Sequence, residues 1–333
     1  VRTLVTIKNP ELRELTWPEA TLQKLKGFTE VDFIPLHEKF TSEDLAERIG
    51  EYDACITSWG SPVFTPEVLA RATRLKFIGH GAGSVAVIVK EDVFETDITV
   101  VSANKVLALS TAECAFSMIF AGAWNLSSLS AGLKQGQWSN NGRDTVLGVT
   151  RRIIGLVGYG EISKHVIRML KPFNVKIWVH SNYCSQEEAK AQGFQLCELN
   201  ALFEQCDIVS IHNTLTDRTR GMIGTEQLKR LRDGALLVNT ARGPVVQEHA
   251  LLEELRTGRI NAMLDVYDRE PLSIEHELLK LSNVVCLPHI GGFHGLLKRE
   301  LCDFIVDELK RFTEEQPLLG HVTLDHYRRL TRK

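Results

Sequence analysis

The chain shows no strong excess of either charge: 39 Lys and Arg stand against 42 Asp and Glu, a formal balance of -3 over 333 residues. So balanced a surface projects no field for nucleic acid or an anionic membrane, and neither partner is expected. No apolar run reads as long enough to span a bilayer. The seven cysteines are odd in number, scattered, and without a C-x-x-C pair. That speaks against a disulfide frame or a zinc site and for reduced thiols in a cytoplasm. The opening VRTLVTIKNPELRELTW lacks a basic n-region, an apolar h-region and a small-residue cleavage site, so no signal peptide is expected. It also lacks an initiating Met, so the numbering is expected to begin inside the encoded chain. Low-complexity tracts and short-period repeats are missing too.

What is present is alternation. The length favours two domains over one core. Short β-branched runs come first at LVTI (4–7), VDFI (31–34), ACIT (54–57), LKFIGH (75–80) and ITVVSA (98–103). Helical patterns separate them, capped at Thr41 or Ser42 and at Thr65 ahead of Pro66. A long helical stretch follows, from about 111 to 133, and then a polar, Gly-containing segment, KQGQWSNNGRDTVLGVTR (134–151), which reads as an interdomain joint. A second set of runs is nearly continuous and apolar: RIIGLV (152–157), VKIWVH (175–180), DIVSIHN (207–213), ALLVNTA (235–241), INAMLDV (260–266) and VVCLPH (284–289). Strands alternating with helices predict parallel sheets buried on both faces, hence two doubly wound α/β domains. The last helix is expected to return to the first domain. The division predicted is 1–103 with 294–333 for substrate and 104–293 for a dinucleotide.

The strongest local signal is RIIGLVGYGEISKHVIRML (152–170). A strand runs into Gly158, Tyr159, Gly160, Glu161 and Ile162, then directly into a helix. Gly158 permits the tight turn, and Gly160 lets a pyrophosphate approach the backbone. The helix start offers unpaired N–H groups and a positive dipole end. Ser163 stands where the third glycine of G-x-G-x-x-G falls. The next strand ends in His180-Ser181-Asn182 rather than in an acid that would bond ribose hydroxyls. With neither carboxylate nor Arg there, NAD and NADP both remain open. Glu161, beside the pyrophosphate, has no account at this level.

Three later strands deliver polar residues to their C-terminal ends, the edge that lines the ligand crevice of an open α/β sheet. These are Arg242 in LLVNTARGPVV, Asp265 and then Glu270 in AMLDVYDREP, and His289 in VVCLPHIGG. The trio of cation, carboxylate and imidazole suits oxidation of a secondary alcohol or its reverse. Imidazole titrates near neutral pH and can take or return the proton that accompanies hydride transfer. A carboxylate on its other nitrogen fixes the tautomer. An Arg fork matches a substrate carboxylate bidentately.

The second half resembles the D-isomer-specific 2-hydroxyacid dehydrogenase family. The matching motifs are the glycine loop, DIVSIHNTLTDRTRGMI, LVNTARG, LDVYDREPL and LPHIGG, in family order over about 147–293. The resemblance implies that Arg242 binds substrate, Glu270 partners the base, His289 is the acid/base, and Asp265 holds the nicotinamide carboxamide. It adds Ser181, His212, Thr240, Ala241 and Gly291 to the cofactor-lining set. The first domain matches more loosely. KFIGHGAGSV (76–85) stands at the substrate-carboxylate loop, making the N–H groups near Ala82, Gly83 and Ser84 candidates. ALSTAECAF (108–116) resembles the start of the bridging helix, with Cys114 where a His is usual. A homodimer built through that region is implied, with Trp138 at an interdomain or dimer contact.

Plainer roles are assigned elsewhere: Asp268 solvated, His80 and His294 packed. Trp59 is placed against substrate in TSWGSPVF (57–64), a loop with no Arg or Lys. That absence points to a small unphosphorylated 2-oxo or 2-hydroxy acid, such as glyoxylate, hydroxypyruvate or pyruvate. The competing readings are a dinucleotide-sensing, corepressor-like binding protein and a phosphoglycerate dehydrogenase.

Overall fold

In the computed structural model, residues 1–36, 39–138, 146–292 and 294–331 are described. The chain forms two compact units, Val1–Ala108 with Phe293–Lys333, and Leu109–Gly292.

The first unit holds strands β1 (Arg2–Val5), β2 (Glu30–Phe33), β3 (Ala54–Thr57), β4 (Phe77–His80) and β5 (Thr99–Ser102). They form one parallel sheet in the order β2-β1-β3-β4-β5, the flavodoxin-like winding. Every residue of β3 and β4 is buried, as strands covered on both faces require. One face packs Val5, Ile56, Phe77 and Val101 against Leu301, Cys302, Ile305 and Leu309 of the helix Gly295–Thr313. The other packs Leu4, Cys55, Ile78 and Val100 against Leu45, Ile49 and Val68.

The second unit holds β6 (Ile153–Val157), β7 (Lys176–His180), β8 (Gln195–Leu196), β9 (Ile208–Ile211), β10 (Leu236–Asn239), β11 (Asn261–Leu264) and β12 (Val284–Cys286). Their order, β12-β11-β10-β9-β6-β7-β8, reverses direction between β6 and β9, so a crevice opens between the loops leaving those two strands. Both sheets thus have the doubly wound parallel architecture expected. The short edge strand β8 was not foreseen: two residues carry no periodicity.

Three expectations need correction. The helical stretch is two helices, Asn104–Ala123 and Leu126–Lys134, broken where Asn125 takes a left-handed φ of 49°. The first helix is long and apolar enough, by length and composition, to cross a membrane, contrary to the opening reading. Its Ala112, Ala115, Met118, Ile119 and Ala123 are core residues of the second unit, packed with Ile154, Leu156 and Val238. Finally, the described parts of the polar segment, 134–138 and 146–151, fall inside the second unit, whose boundaries lie at 108/109 and 292/293; its residues 139–145 fall outside the described ones.

Candidate active site

The crevice of the second unit begins at Gly158, the first residue after β6. Its φ is +100°, and a Cβ there would lie 2.7 Å from the backbone nitrogen of Asn213, just past β9. Only glycine satisfies both demands. At Gly160 a Cβ would meet nothing within 4 Å, so the backbone is open to a ligand. The helix Glu161–Leu170 starts there, burying Ser163, Val166, Ile167 and Leu170 against the sheet. Ser163, in the third glycine's place, is fully buried and its hydroxyl donates to the Gly158 carbonyl at 2.8 Å. It therefore braces the turn. Glu161 is answered by Lys164 at 3.1 Å, which offsets the misplaced negative charge. Tyr159 packs its ring 5.0 Å from that of Phe194, and Ile162 is a partly buried neighbour of the same core. At the end of β7, the Ser181 hydroxyl accepts the Tyr183 N–H at 3.2 Å.

Several buried polar atoms in this crevice have no partner among the described residues: both ring nitrogens of His212, Oδ1 of Asn213 and Oγ1 of Thr240. Buried polar groups are normally paired. Such a group of orphans beside an open glycine turn fits a polar, phosphate-bearing ligand like a dinucleotide. Asn213 was missed by sequence reasoning. It is an ordinary residue after a strand until its contact with Gly158 is seen. Ala241 is buried, and its N–H donates to the Asn239 side chain at 3.0 Å.

The exits of β10, β11 and β12 carry the charged group. Glu270 Oε2 lies 2.6 Å from His289 Nδ1, while its Oε1 accepts the Tyr267 N–H at 3.0 Å. The carboxylate is thus held from behind as it meets the imidazole. Arg242 is half-buried, donates from Nη1 to the Ala241 carbonyl at 2.6 Å, and feels the charge of Glu270. Burial draws its pKa below the ordinary value, and Glu270 opposes that fall. Gly243 backs directly onto this turn: a Cβ there would lie 2.0 Å from the Tyr267 carbonyl carbon. So the Arg242 loop and the Glu270 turn can pack this closely only over a glycine.

Two details differ from expectation. Strand β12 ends at Cys286, so His289 sits in the following turn with a φ of 54° instead of closing the strand. And the buried Asp265 carboxylate is engaged by protein: Oδ1 accepts the Ile290 N–H at 2.7 Å and Oδ2 the Gly291 N–H at 2.8 Å. Asp268 is exposed. Cys114, whose Cβ is 4.0 Å from where a Cβ on Gly291 would lie, has its thiol pushed up to about 11 by burial and by Asp265.

In the first unit, the loop after β4 is organised by its carbonyls. Thr57 and Ser58 hydroxyls donate to Gly79 at 3.2 Å and Gly81 at 3.1 Å, and the Ser102 hydroxyl reaches Gly83 at 2.5 Å and Ala82 at 3.2 Å. The Ala82 N–H, a candidate from sequence, is already used by the His80 carbonyl at 2.8 Å. The N–H groups of Gly83 and Ser84 donate to nothing among the described residues. With the acceptor ends tied inward, these two donors form the anion-attracting side of the loop. His80 is buried with Nδ1 on the Thr57 hydroxyl at 3.0 Å, as a packing role requires. His294 caps the helix Gly295–Thr313. Trp59 is 38% exposed, so it can face a ligand. The loop around it was read as lacking a cation, yet Lys298 of that helix lies 5.5 Å from its ring centroid. No local pattern links residues so far apart.

Two buried histidines among the described residues, His80 and His212, are expected to give the protein an acid sensitivity. Burial pushes His80 down to about 3 and His212 down to about 4, from 6.5. Both stay neutral when folded, whereas the unfolded chain takes up their protons below pH 6.5. Their contribution is therefore intact above that pH and is lost as pH falls towards 4 and 3, at up to about 1.4 kcal/mol per pH unit for each. The urea midpoint is expected to drop between pH 7 and 5, and more shallowly in His212→Gln. A flat midpoint across that range overturns the assignment.

Comparison with known proteins falls on the same elements. The family profile for the D-isomer specific 2-hydroxyacid dehydrogenase, NAD binding domain, matches residues 116–291, just over half of the chain. The chain is 32% identical over 289 residues to the D-3-phosphoglycerate dehydrogenase of Methanocaldococcus jannaschii, covering 86% of this chain and 55% of that one. It thus spans about half of that relative. It is 30% identical over 299 residues to the glyoxylate reductase of Korarchaeum cryptofilum, covering 89% and 90% of the two chains. The solved glyoxylate reductase of Paecilomyes thermophila superposes with a TM-score of 0.76 at 25% identity, over 96% of this chain and 98% of that one.

Proposed function

The chain belongs to the D-isomer specific 2-hydroxyacid dehydrogenase family, and from that premise we propose that it reduces a small 2-oxo acid to its 2-hydroxy acid, reversibly, with a nicotinamide dinucleotide. The observation that carries this reading is the 2.6 Å contact of His289 with Glu270, at the strand ends that also border the glycine crevice. When bound in that crevice, the dinucleotide supplies or accepts the hydride. Gly158, Tyr159, Gly160, Glu161 and Ile162 would hold its pyrophosphate segment, and Ser181, His212, Thr240, Ala241 and Gly291 would line the rest. His289 keeps Nδ1 on Glu270, so Nε2 is the nitrogen that gives a proton to the carbonyl oxygen and takes it back in the oxidative direction. Arg242 grips the acid through its guanidinium fork and polarises the same oxygen. In the first unit, the open N–H groups of Gly83 and Ser84 and the exposed Trp59 are the candidates for substrate contact.

A glyoxylate or hydroxypyruvate reductase is favoured, since the relatives of full matching length carry those names. Lys298 beside Trp59 supports a second reading, a substrate with a second anionic group such as 3-phosphohydroxypyruvate. Consumption of NADH and of NADPH with glyoxylate, hydroxypyruvate, pyruvate and 3-phosphohydroxypyruvate decides between them. Turnover of the phosphorylated acid alone overturns the favoured substrate. Failure with every acid, alongside tight dinucleotide binding, moves the protein to the sensing class.

The working unit we propose is a homodimer. The helix Leu126–Lys134 buries no residue, and Trp124, Leu126, Leu133 and Trp138 are each at least 50% exposed. A second copy covering this apolar face doubles the mass measured by light scattering; a monomer at micromolar concentration refutes it. All seven cysteines are free, which suits a reducing compartment such as the cytoplasm.

A further inference from the structure

The segment leaving β11 does more than supply Glu270. His289 is in a left-handed conformation, φ 54°, that residues with a Cβ adopt uncommonly. It sits in a turn, half-exposed, with no strand pairing of its own. Yet the backbone is tied down on both sides of it. Before it, the Leu287 N–H donates to the Leu264 carbonyl at 2.8 Å, and the Leu287 carbonyl accepts the Tyr267 hydroxyl at 2.8 Å. After it, both oxygens of Asp265 accept consecutive N–H groups, from Ile290 and Gly291, at 2.7 and 2.8 Å. The Gly291 carbonyl accepts the Ser110 hydroxyl at 2.9 Å, and a Cβ on Gly291 would lie 3.1 Å from Asp265 Oδ2 and 3.5 Å from Thr111. Only Pro288 and His289 lie between these anchors.

We infer that Asp265 is a positioning residue: its carboxylate fixes the backbone just after His289, and so sets the angle at which the imidazole meets Glu270 and the reacting oxygen. This deepens the dehydrogenase reading and rests on it. The physical reason is charge-assisted bonding. A buried carboxylate accepting two adjacent amides makes two short bonds from one rigid fork. It therefore fixes the orientation of the peptide planes as well as their distance. Holding a catalytic group within a fraction of an ångström is what proton transfer needs. The charged and titratable groups around this turn include Glu270 and Tyr267 from the same segment, Cys286 at the end of β12, Arg242 from the β10 exit and Cys114 from the helix Asn104–Ala123. None of them donates to the Asp265 oxygens in place of the two amides.

The alternative is that Asp265 serves the dinucleotide directly, and the experiment separates the two. The first measurement uses wild type alone. Hydrogen exchange at the Ile290 and Gly291 amides should be slowed at least a hundredfold relative to unprotected loop amides. Exchange at the unprotected rate means no clamp exists. The second compares Asp265→Asn with wild type by proton NMR, following the downfield imidazole N–H resonance of the His289–Glu270 bond. Glu270→Gln and His289→Gln assign that resonance. In Asp265→Asn it should broaden or vanish, kcat should fall at least tenfold, and the NADH dissociation constant should move less than threefold. An intact resonance with unchanged kcat overturns the proposal. So does an intact resonance with NADH binding weakened tenfold, which assigns Asp265 to the cofactor. Neither the exchange nor the resonance needs turnover. If no 2-oxo acid is reduced, the dehydrogenase reading fails while the positioning claim is still decided.

Discussion

Replacing His289 with Gln lowers kcat for 2-oxo acid reduction by about 10²–10⁴-fold, the range over which a positioned acid/base contributes. The loss should fall on chemistry. The His289 and Glu270 side chains are 44% and 35% exposed, so the change opens no core cavity and the Tm should hardly move. NADH affinity, followed by fluorescence, should also stay within a few-fold, because the glycine turn and the orphaned atoms of His212 and Thr240 are untouched. Glu270→Gln should cost less than His289→Gln, since the imidazole remains and only its orientation and tautomer preference are weakened. Full activity in His289→Gln would remove proton transfer from this residue. A collapse of Tm would make the effect structural.

Arg242→Ala should lower kcat/KM for the 2-oxo acid by about 10²–10³-fold, the scale of truncating one partner of a hydrogen-bonded charge pair. The guanidinium has an internal anchor, the Ala241 carbonyl at 2.6 Å, which leaves the rest of the fork to a ligand. Arg242→Lys tests that geometry. It keeps the charge but offers a single ammonium in place of the planar fork, and should still fall at least tenfold short of wild type. Equal activity in the Lys variant would show that charge alone suffices. In both variants the NADH dissociation constant should remain near the wild-type value. If it rises in parallel with the loss of activity, Arg242 serves the dinucleotide instead.

Much of this site was legible because its parts are local. A glycine turn between a buried strand and a helix is contained in one short stretch, and its chemistry follows from backbone freedom alone. Arg242, Glu270 and His289 could be grouped because parallel strands all end on the same edge of a sheet. Positions set by packing were not legible. Ala82 was counted as a donor, but its N–H turns back onto His80. Ser163 stands in the third glycine's place, and only its hydroxyl bond to the Gly158 carbonyl shows it to be a brace. Lys298 stands beside Trp59 only because a helix late in the chain covers the first sheet.

By itself the sequence determined the alternating strand–helix order, hence two parallel sheets, the glycine turn, and the identity of the charged trio. The order, the sheets and the turn depend on periodicity or on residues adjacent along the chain, and the trio on parallel strands that all end at one edge. Only the tertiary structure decided which nitrogen of His289 faces Glu270, that the two Asp265 oxygens seize successive amides, and which loop donors stay open. Those facts depend on side-chain direction across strands distant in sequence, and on the left-handed turn at residue 289, for which a non-glycine sequence carries no signal.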